Sequence, residues 1–133
     1  ENIDIDANYA FQTSEYDALD EDAALSPEQQ AYLRAHWRFA HDWSLTGEMK
    51  RVADRNREPG DPREPIDDYT LFNLNLARQN LFDHLDLGLR VRNLFDEDAR
   101  EPSPTENLPA GSLMPDDFPL EGRSIHFTAQ VRF

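Results

Sequence analysis

The chain has 133 residues, enough for one domain, and carries 27 acidic against 13 basic side chains, a formal net charge of −14. That charge argues against nucleic acid or an anionic membrane surface as partner. The lack of cysteine removes disulfides, thiol nucleophiles and cysteine zinc sites, and no apolar run reaches the about 18 residues of a membrane-crossing helix.

The first predicted element covers residues 2–14. Ile3, Ile5, Ala7, Tyr9 and Phe11 alternate there with Asn2, Asp4, Asp6, Asn8 and Gln12, which is strand spacing. Residues 15–29 break the pattern with Asp20-Glu21-Asp22 and read as a solvated loop. A second strand is expected at 30–40, with Ala31, Leu33, Ala35, Trp37 and Phe39 on one face against Tyr32, Arg34, His36 and Arg38. A short turn near His41–Asp42 leads to a third at 43–55, where Trp43, Leu45, Gly47 and Met49 face away from Ser44, Thr46, Glu48 and Lys50 until Arg51 breaks the apolar face.

Another long polar connection spans 56–67. The fourth strand, 68–79, sets Thr70, Phe72, Leu74 and Leu76 against Asn73 and Asn75. The fifth, 85–95, sets Leu85, Leu87, Leu89 and Val91 against Asp86, Gly88, Arg90 and Arg92, after a short turn near Asn80–His84. Residues 96–121 hold Pro102, Pro104, Pro109, Pro115 and Pro119, which oppose regular ladders. The last strand, 123–133, alternates Ile125, Phe127, Ala129, Val131 and Phe133 with Ser124, His126, Thr128, Gln130 and Arg132.

Read at helical spacing, these segments scatter their apolar residues around the axis, so helices are disfavoured. Short turns at one end and long loops at the other describe an all-β, up-and-down antiparallel meander of about six strands. Two readings fit one apolar and one polar face. In a soluble β-domain, acting as an interaction or carbohydrate-binding module, the apolar face is the core. In an outer-membrane barrel it faces lipid and the polar face lines a wet lumen. Strands of the roughly 9–11 residues that cross a bilayer at a tilt, with aromatics near their ends at Tyr9, Phe11, Trp37, Phe39, Trp43, Tyr69 and Phe133, favour the barrel. Six strands fall short of the about eight at which single-chain barrels begin. The chain also opens at Glu1 inside a strand, without a leader, so it reads as the C-terminal piece of a larger protein.

Several motifs lie along this meander in order. They are Asp54-Arg55-Asn56-Arg57 with Gly60-Asp61-Pro62-Arg63 and Asp67-Asp68-Tyr69-Thr70-Leu71, then Val91-Arg92-Asn93-Leu94-Phe95-Asp96. Arg100-Glu101-Pro102-Ser103, Asp116-Asp117-Phe118-Pro119-Leu120-Glu121-Gly122-Arg123-Ser124 and the terminal Phe133 follow. Together they resemble the C-terminal end of TonB-dependent outer-membrane receptors, which are 22-stranded barrels plugged by an N-terminal domain. The resemblance covers nearly the whole chain and is weakest in 15–29 and 105–114.

It implies that residues 1–133 are the last six strands of a 22-stranded transmembrane β-barrel in the outer membrane of a Gram-negative bacterium. The long loops would be extracellular and the short turns periplasmic. Such a receptor carries out energised uptake of a scarce ligand of the siderophore, cobalamin or glycan class. Its partners are outer-membrane lipid, its own plug domain and TonB. Nothing in the chain resembles the plug or the TonB-interacting box, so this piece alone is not expected to perform gated uptake. Phe127, Val131 and Phe133 on the last strand resemble the signal read by the barrel-assembly machinery, in which an unpaired strand adds to a partner's sheet edge. The isolated chain is expected to self-associate, by edges or apolar faces, or to curl into a smaller closed sheet.

Lumen-facing candidates are Arg34, Arg38, Arg90, Arg92 and Arg132, either pairing with plug carboxylates or an anionic ligand, or forming cross-strand ion pairs with acids such as Glu48 and Asp86. Arg55, Arg57, Asp61 and Arg63 form a predicted charge network at a loop mouth. Asp17, Asp20, Glu21 and Asp22 lack the ligand spacing and central glycine of a calcium loop. Ser124 and His126 share a strand face, but no third orienting group or oxyanion donor accompanies them. His36, His41, His84 and His126 have no close metal spacing. No enzymatic activity, cofactor or metal is expected.

Overall fold

The structure, a computed structural model, describes residues 2–13, 15–16, 21–22, 25–58, 61–104 and 116–132, with the backbone path alone at 15–16 and 21–22. Alternation becomes strand throughout: β1 (Asn2–Phe11), β2 (Glu15–Tyr16), β3 (Glu21–Asp22), β4 (Pro27–Phe39), β5 (Trp43–Arg55), β6 (Tyr69–Leu81), β7 (Leu85–Arg92), β8 (Arg100–Glu101), β9 (Phe118–Pro119) and β10 (Ser124–Val131). The long strands form one six-stranded sheet, ordered β1-β4-β5-β6-β7-β10, and every neighbouring pair is antiparallel. Each long strand therefore pairs with the next along the chain. The fold is an all-β antiparallel meander, with no helix among the described residues.

Pairing register carries the alternation across the whole sheet. One row reads Ile3, Trp37, Leu45, Leu76, Leu89, Phe127, and the next Ile5, Ala35, Gly47, Leu74, Val91, Ile125. Between them, on the opposite face, runs Asp4, His36, Thr46, Asn75, Arg90, His126. A slip of one residue at any seam would place charges among these apolar rows, so the register is strongly specified.

Of the buried apolar residues among those described, Ala53, beyond Arg51, has the parity of the apolar face, and the rest do not. Val52, Tyr69 and Ala99 form the core cluster, with Leu71 and Leu120 packed against it. They lie at the loop end of the polar face, where the chain after β7 folds back over the sheet. On the apolar face, Ile5 is 66%, Phe127 70% and Leu89 40% exposed, and Leu74 and Leu87 are partly buried. Beyond the strands, Phe95 packs edge-on against Phe72 of this face, ring centres 5.2 Å apart.

Two three-residue turns join β4 to β5 and β6 to β7, through Ala40–Asp42 and Phe82–His84. Ala40, Asp42, Phe82 and Asp83 all adopt positive φ there, a conformation L-residues rarely take. At the far end of β7, Asn93 also turns left-handed, with φ 47°. This ends the strand at Arg92, three residues before the 95 expected from alternation. β1 stops at Phe11 rather than 14, while β4 starts at Pro27, inside the stretch expected to be loop. A strand's first residue is a position where proline's missing N–H is tolerated. The expectation that residues 15–29 and 96–121 lack ladders is corrected too. Glu15–Tyr16 pairs with Glu21–Asp22, and Arg100–Glu101 pairs with Phe118–Pro119. Pro119 sits in a two-residue ribbon, an edge where a missing donor costs little.

Candidate functional site

The polar face is a row of charge pairs made by register. Arg34 stands between Asp6 and Glu48 on its neighbouring strands, at 3.3 and 4.0 Å. Arg38 reaches Asp4 at 3.0 Å, Arg92 reaches Glu121 at 3.2 Å, and Arg132 pairs with Asp86. Arg90, flanked by Asn75 and His126, has no carboxylate partner among the described residues. Four of the five candidate arginines are thus held by carboxylates of this chain, Glu48 and Asp86 among them. An open cavity of about 500 Å³ lies against this face, lined by Arg34, Glu48, Asn73, Arg90, Arg92 and Glu121 among others.

At the loop end the predicted network divides in two. Arg57, Asp61 and Arg63 come together, and the chain adds two members that spacing did not reveal, Asp117 and Ser103. Arg57 makes two hydrogen bonds to Asp117, at 3.0 and 2.7 Å. Arg63 grips Asp61 at 2.6 and 2.9 Å and donates to Ser103 Oγ and its carbonyl at 2.6 and 2.8 Å. Ser103 N in turn donates to Asp117 at 3.1 Å. These groups are largely shielded from solvent: the Asp61 side chain is 1% exposed, Ser103 is fully covered, and Arg57, Arg63 and Asp117 are mostly buried.

The charges answer one another. Hydrogen bonds from Arg63 hold the Asp61 carboxyl below its ordinary range in spite of burial. Those from Arg57 take Asp117 down to about 2. The Asp61 carboxylate raises Arg63. The arrangement is a neutralised clasp that ties the 56–67 loop to the 96–121 loop.

Arg55 belongs to the second group. It donates to the carbonyls of Asp67 (2.6 Å) and Arg100 (3.0 Å) and to Glu101 (3.2 Å), with its guanidinium 5.0 Å from the centre of the Tyr69 ring. Tyr69 donates to Glu101 at 2.7 Å. Tyr69 is 2% exposed and lies beneath the loop, which corrects its expected place among the interfacial aromatics. Trp37, Phe39 and Trp43 do gather at the turn end, with ring centres 4.7 and 6.3 Å apart.

Asn93 is a third knot. It donates to the carbonyls of Glu97 (2.8 Å) and Glu121 (3.2 Å) and accepts from Glu97 N at 2.9 Å. Asp96 accepts from Arg123 N at 2.8 Å. Asp117, Ser103, Glu101, Asn93 and Asp96 all fall within the motifs that carry the resemblance. Those motifs are the residues that fasten the loop, and the order of the motifs was the signal that pointed to them.

On β10, Phe127 and Val131 are open to solvent, and Phe133 lies outside the described residues. His126 Nε2 and Ser124 Oγ approach to 3.2 Å. The neighbouring carboxylate, Glu121, is held below its ordinary range by Ser124 first and then Arg92, and it accepts from Ser124 rather than orienting the imidazole. Among the described residues, no three His, Asp or Glu side chains are placed to hold a metal ion. Asp17 and Asp20 lie outside the described residues, as do the side chains of Glu21 and Asp22. No protein-family model matches the chain, and no curated protein or solved structure does either.

Proposed function

We propose that this sheet is a section of the wall of an outer-membrane β-barrel, the C-terminal part of a TonB-dependent receptor for energised uptake of a siderophore, cobalamin or glycan. The observation that carries the reading is the apolar face, six strands wide, on which Ile3, Ile5, Leu89, Ile125 and Phe127 are all exposed. A soluble module would need a second layer over that face, since an exposed apolar patch of this breadth calls for a lipid or protein neighbour. The motif order supports the choice of receptor type over a passive channel.

The height of the apolar band agrees. On β5 it runs from Trp43 to Arg51, and on β6 from Arg78 to Thr70. Eight steps of roughly 3.3 Å each, tilted by about 40°, rise about 20 Å, close to the roughly 25 Å band of such barrels. An arginine closes each border. Arg51 pairs with Asp68 at 2.9 Å. Arg78 reaches the His41 carbonyl and Asp42, with its guanidinium 5.7 Å from the Trp43 ring. Both thereby turn their charge toward the edge of the band, as long cationic side chains do at a membrane interface. The loops then face outward, the three-residue turns face the periplasm, and β10 offers the edge that the assembly machinery takes up.

The test is partition into phospholipid vesicles. The chain should float with them, and Trp37 and Trp43 should be quenched by lipids brominated near the headgroup. A monodisperse monomer in detergent-free buffer, unchanged by vesicles, would remove the reading.

A further inference from the structure

We infer that Arg90 and its cross-strand neighbours form a site for an oxyanion, a carboxylate or phosphate group carried by a small solute. Arg90 stands on the polar face between Asn75 on β6 and His126 on β10, each directly opposite it in register. Side chains so placed lie about 5 Å apart at Cβ. Both neighbouring strands belong to this chain, so what faces Arg90 does not depend on where the sequence begins or ends.

The other candidate arginines of this face are answered by carboxylates: Arg34 by Asp6 and Glu48, Arg38 by Asp4, Arg92 by Glu121 and Arg132 by Asp86. Around Arg90 the pattern changes. The side chains of Asn75, Arg90 and Thr128 make no hydrogen bond or ion pair to any described residue. Asn75 has the shape of an aspartate with an amide in place of one oxygen, so it donates where a carboxylate would neutralise. Glu121, the acid of the adjoining loop, is occupied by Ser124 and Arg92. His126 meets Ser124 through Nε2 at 3.2 Å and keeps Nδ1.

Space accompanies the donors. Gly88 lies opposite Thr128, and a Cβ added to it would touch the Thr128 Cβ at 3.8 Å; the bare backbone keeps the floor between these groups open. The hollow above it, about 360 Å³, is lined by Asn75, Gly88, Arg90, Arg92, His126 and Thr128, with no acid among them. It shares Asn75, Arg90 and Arg92 with the larger cavity of about 500 Å³, which leaves room for the rest of a solute. A guanidinium holds a carboxylate or phosphate through two parallel hydrogen bonds, and the Asn75 amide and Thr128 hydroxyl add donors beside it. The site rests on the wall reading for its place in the lumen, and it asks of the ligand an anionic oxygen group. Anion binding itself is tested apart from lipid.

Arginine Nε–H magnetic resonances of the full, isotope-labelled chain in detergent are followed while sodium phosphate or sodium malonate replaces sodium chloride at constant ionic strength. The Arg90 resonance, identified by its loss in Arg90→Gln, should move saturably with one anion or both, while those of Arg38 and Arg132, already paired, stay in place. The phosphorus line of phosphate should broaden with the native chain and stay sharp with Arg90→Gln. Asn75→Asp, which supplies the absent carboxylate, should weaken binding at least about fivefold, as a cross-strand charge pair competes with the anion. Equal movement of every arginine, no saturable movement at Arg90 with either anion, or undiminished binding in either variant would each overturn the inference. Vesicle flotation of the same chains separates the two proposals. A chain that floats but shows no Arg90 response leaves the wall reading standing and removes the anion site. One that binds the anion but does not float does the reverse.

Discussion

Arg57 and Asp117, sixty residues apart in the chain, meet guanidinium to carboxylate through two hydrogen bonds. Both side chains are almost buried, at 12% and 11% exposure, so the pair is a two-pronged, charge-assisted contact largely shielded from salt. It joins two loops that the sheet itself does not connect. Removing one partner leaves a buried charge unmatched, which is the costly direction.

The pair makes loop order depend on pH. Asp117 titrates at about 2 in the folded chain, below its unfolded value near 3.9. Its contribution, on the order of 2 kcal/mol, is therefore fully present above about pH 4 and is lost as pH falls toward 2. Asp61, also lowered, acts in the same direction. Protection of the amides at residues 61–64 and 116–119 against hydrogen exchange, relative to the unfolded-chain rate at each pH, should fall between pH 4 and 2.5 in the native chain. In Asp117→Asn that protection should already be low at pH 7 and should change less over that interval.

Arg55 should not tolerate lysine. Its guanidinium spans two carbonyls and Glu101 at once, a fork that one ammonium cannot reproduce. Arg55→Ala is expected to cost about 1–3 kcal/mol through the orphaned carbonyls of Asp67 and Arg100, and Arg55→Lys to recover less than half of that. Chemical unfolding in detergent, followed by near-ultraviolet signals of Tyr69, checks both.

How much of this was legible in the chain depends on which physical rule governed each part. Alternation of period two announced every long strand, because one face is apolar from Ile3 to Val131 and a single register satisfies all six strands. Strand ends were less visible. Asn93 stops β7 by turning left-handed to anchor Glu97 and Glu121, and nothing in the spacing of Val91, Asn93 and Phe95 reveals that. Within the clasp, Arg57, Asp61 and Arg63 are close in sequence and were found together. Asp117 and Ser103 come from a loop whose fold is decided by tertiary pairing rather than by pattern. Tyr69 was placed among the girdle aromatics by its position near a strand end, yet its parity with Val52 puts it on the other face.

Asn93 makes the loop's return path measurable. Three hydrogen bonds converge on its side chain, which sits in a residue only 4% exposed. Asn93→Ala should destabilise the loop by about 1–3 kcal/mol, the cost of leaving buried partners unpaired. Amide exchange should rise at Glu97 and Leu120 while the β4–β5 ladder stays protected.

The final prediction separates lipid from protein as the neighbour of the apolar face. Gly47 sits mid-strand on that face, and a Cβ added there meets no atom within 4 Å. In a packed protein core a leucine at this position would overfill the space at a cost of about 1–3 kcal/mol. Against lipid it has room, and it also removes glycine's excess freedom in the unfolded chain, worth about 0.5–1 kcal/mol. Gly47→Leu is therefore expected to raise the urea midpoint of vesicle-bound chain. Leu74→Arg, on the same row, should lower stability by about 2–4 kcal/mol as a charge near the bilayer midplane, and Asn75→Arg, one residue on and facing the polar side, should cost only the repulsion from Arg90 across the seam, about 0.2–1 kcal/mol. A loss of stability in Gly47→Leu, or equal effects of arginine at 74 and 75, would mean that protein rather than hydrocarbon lies against this face.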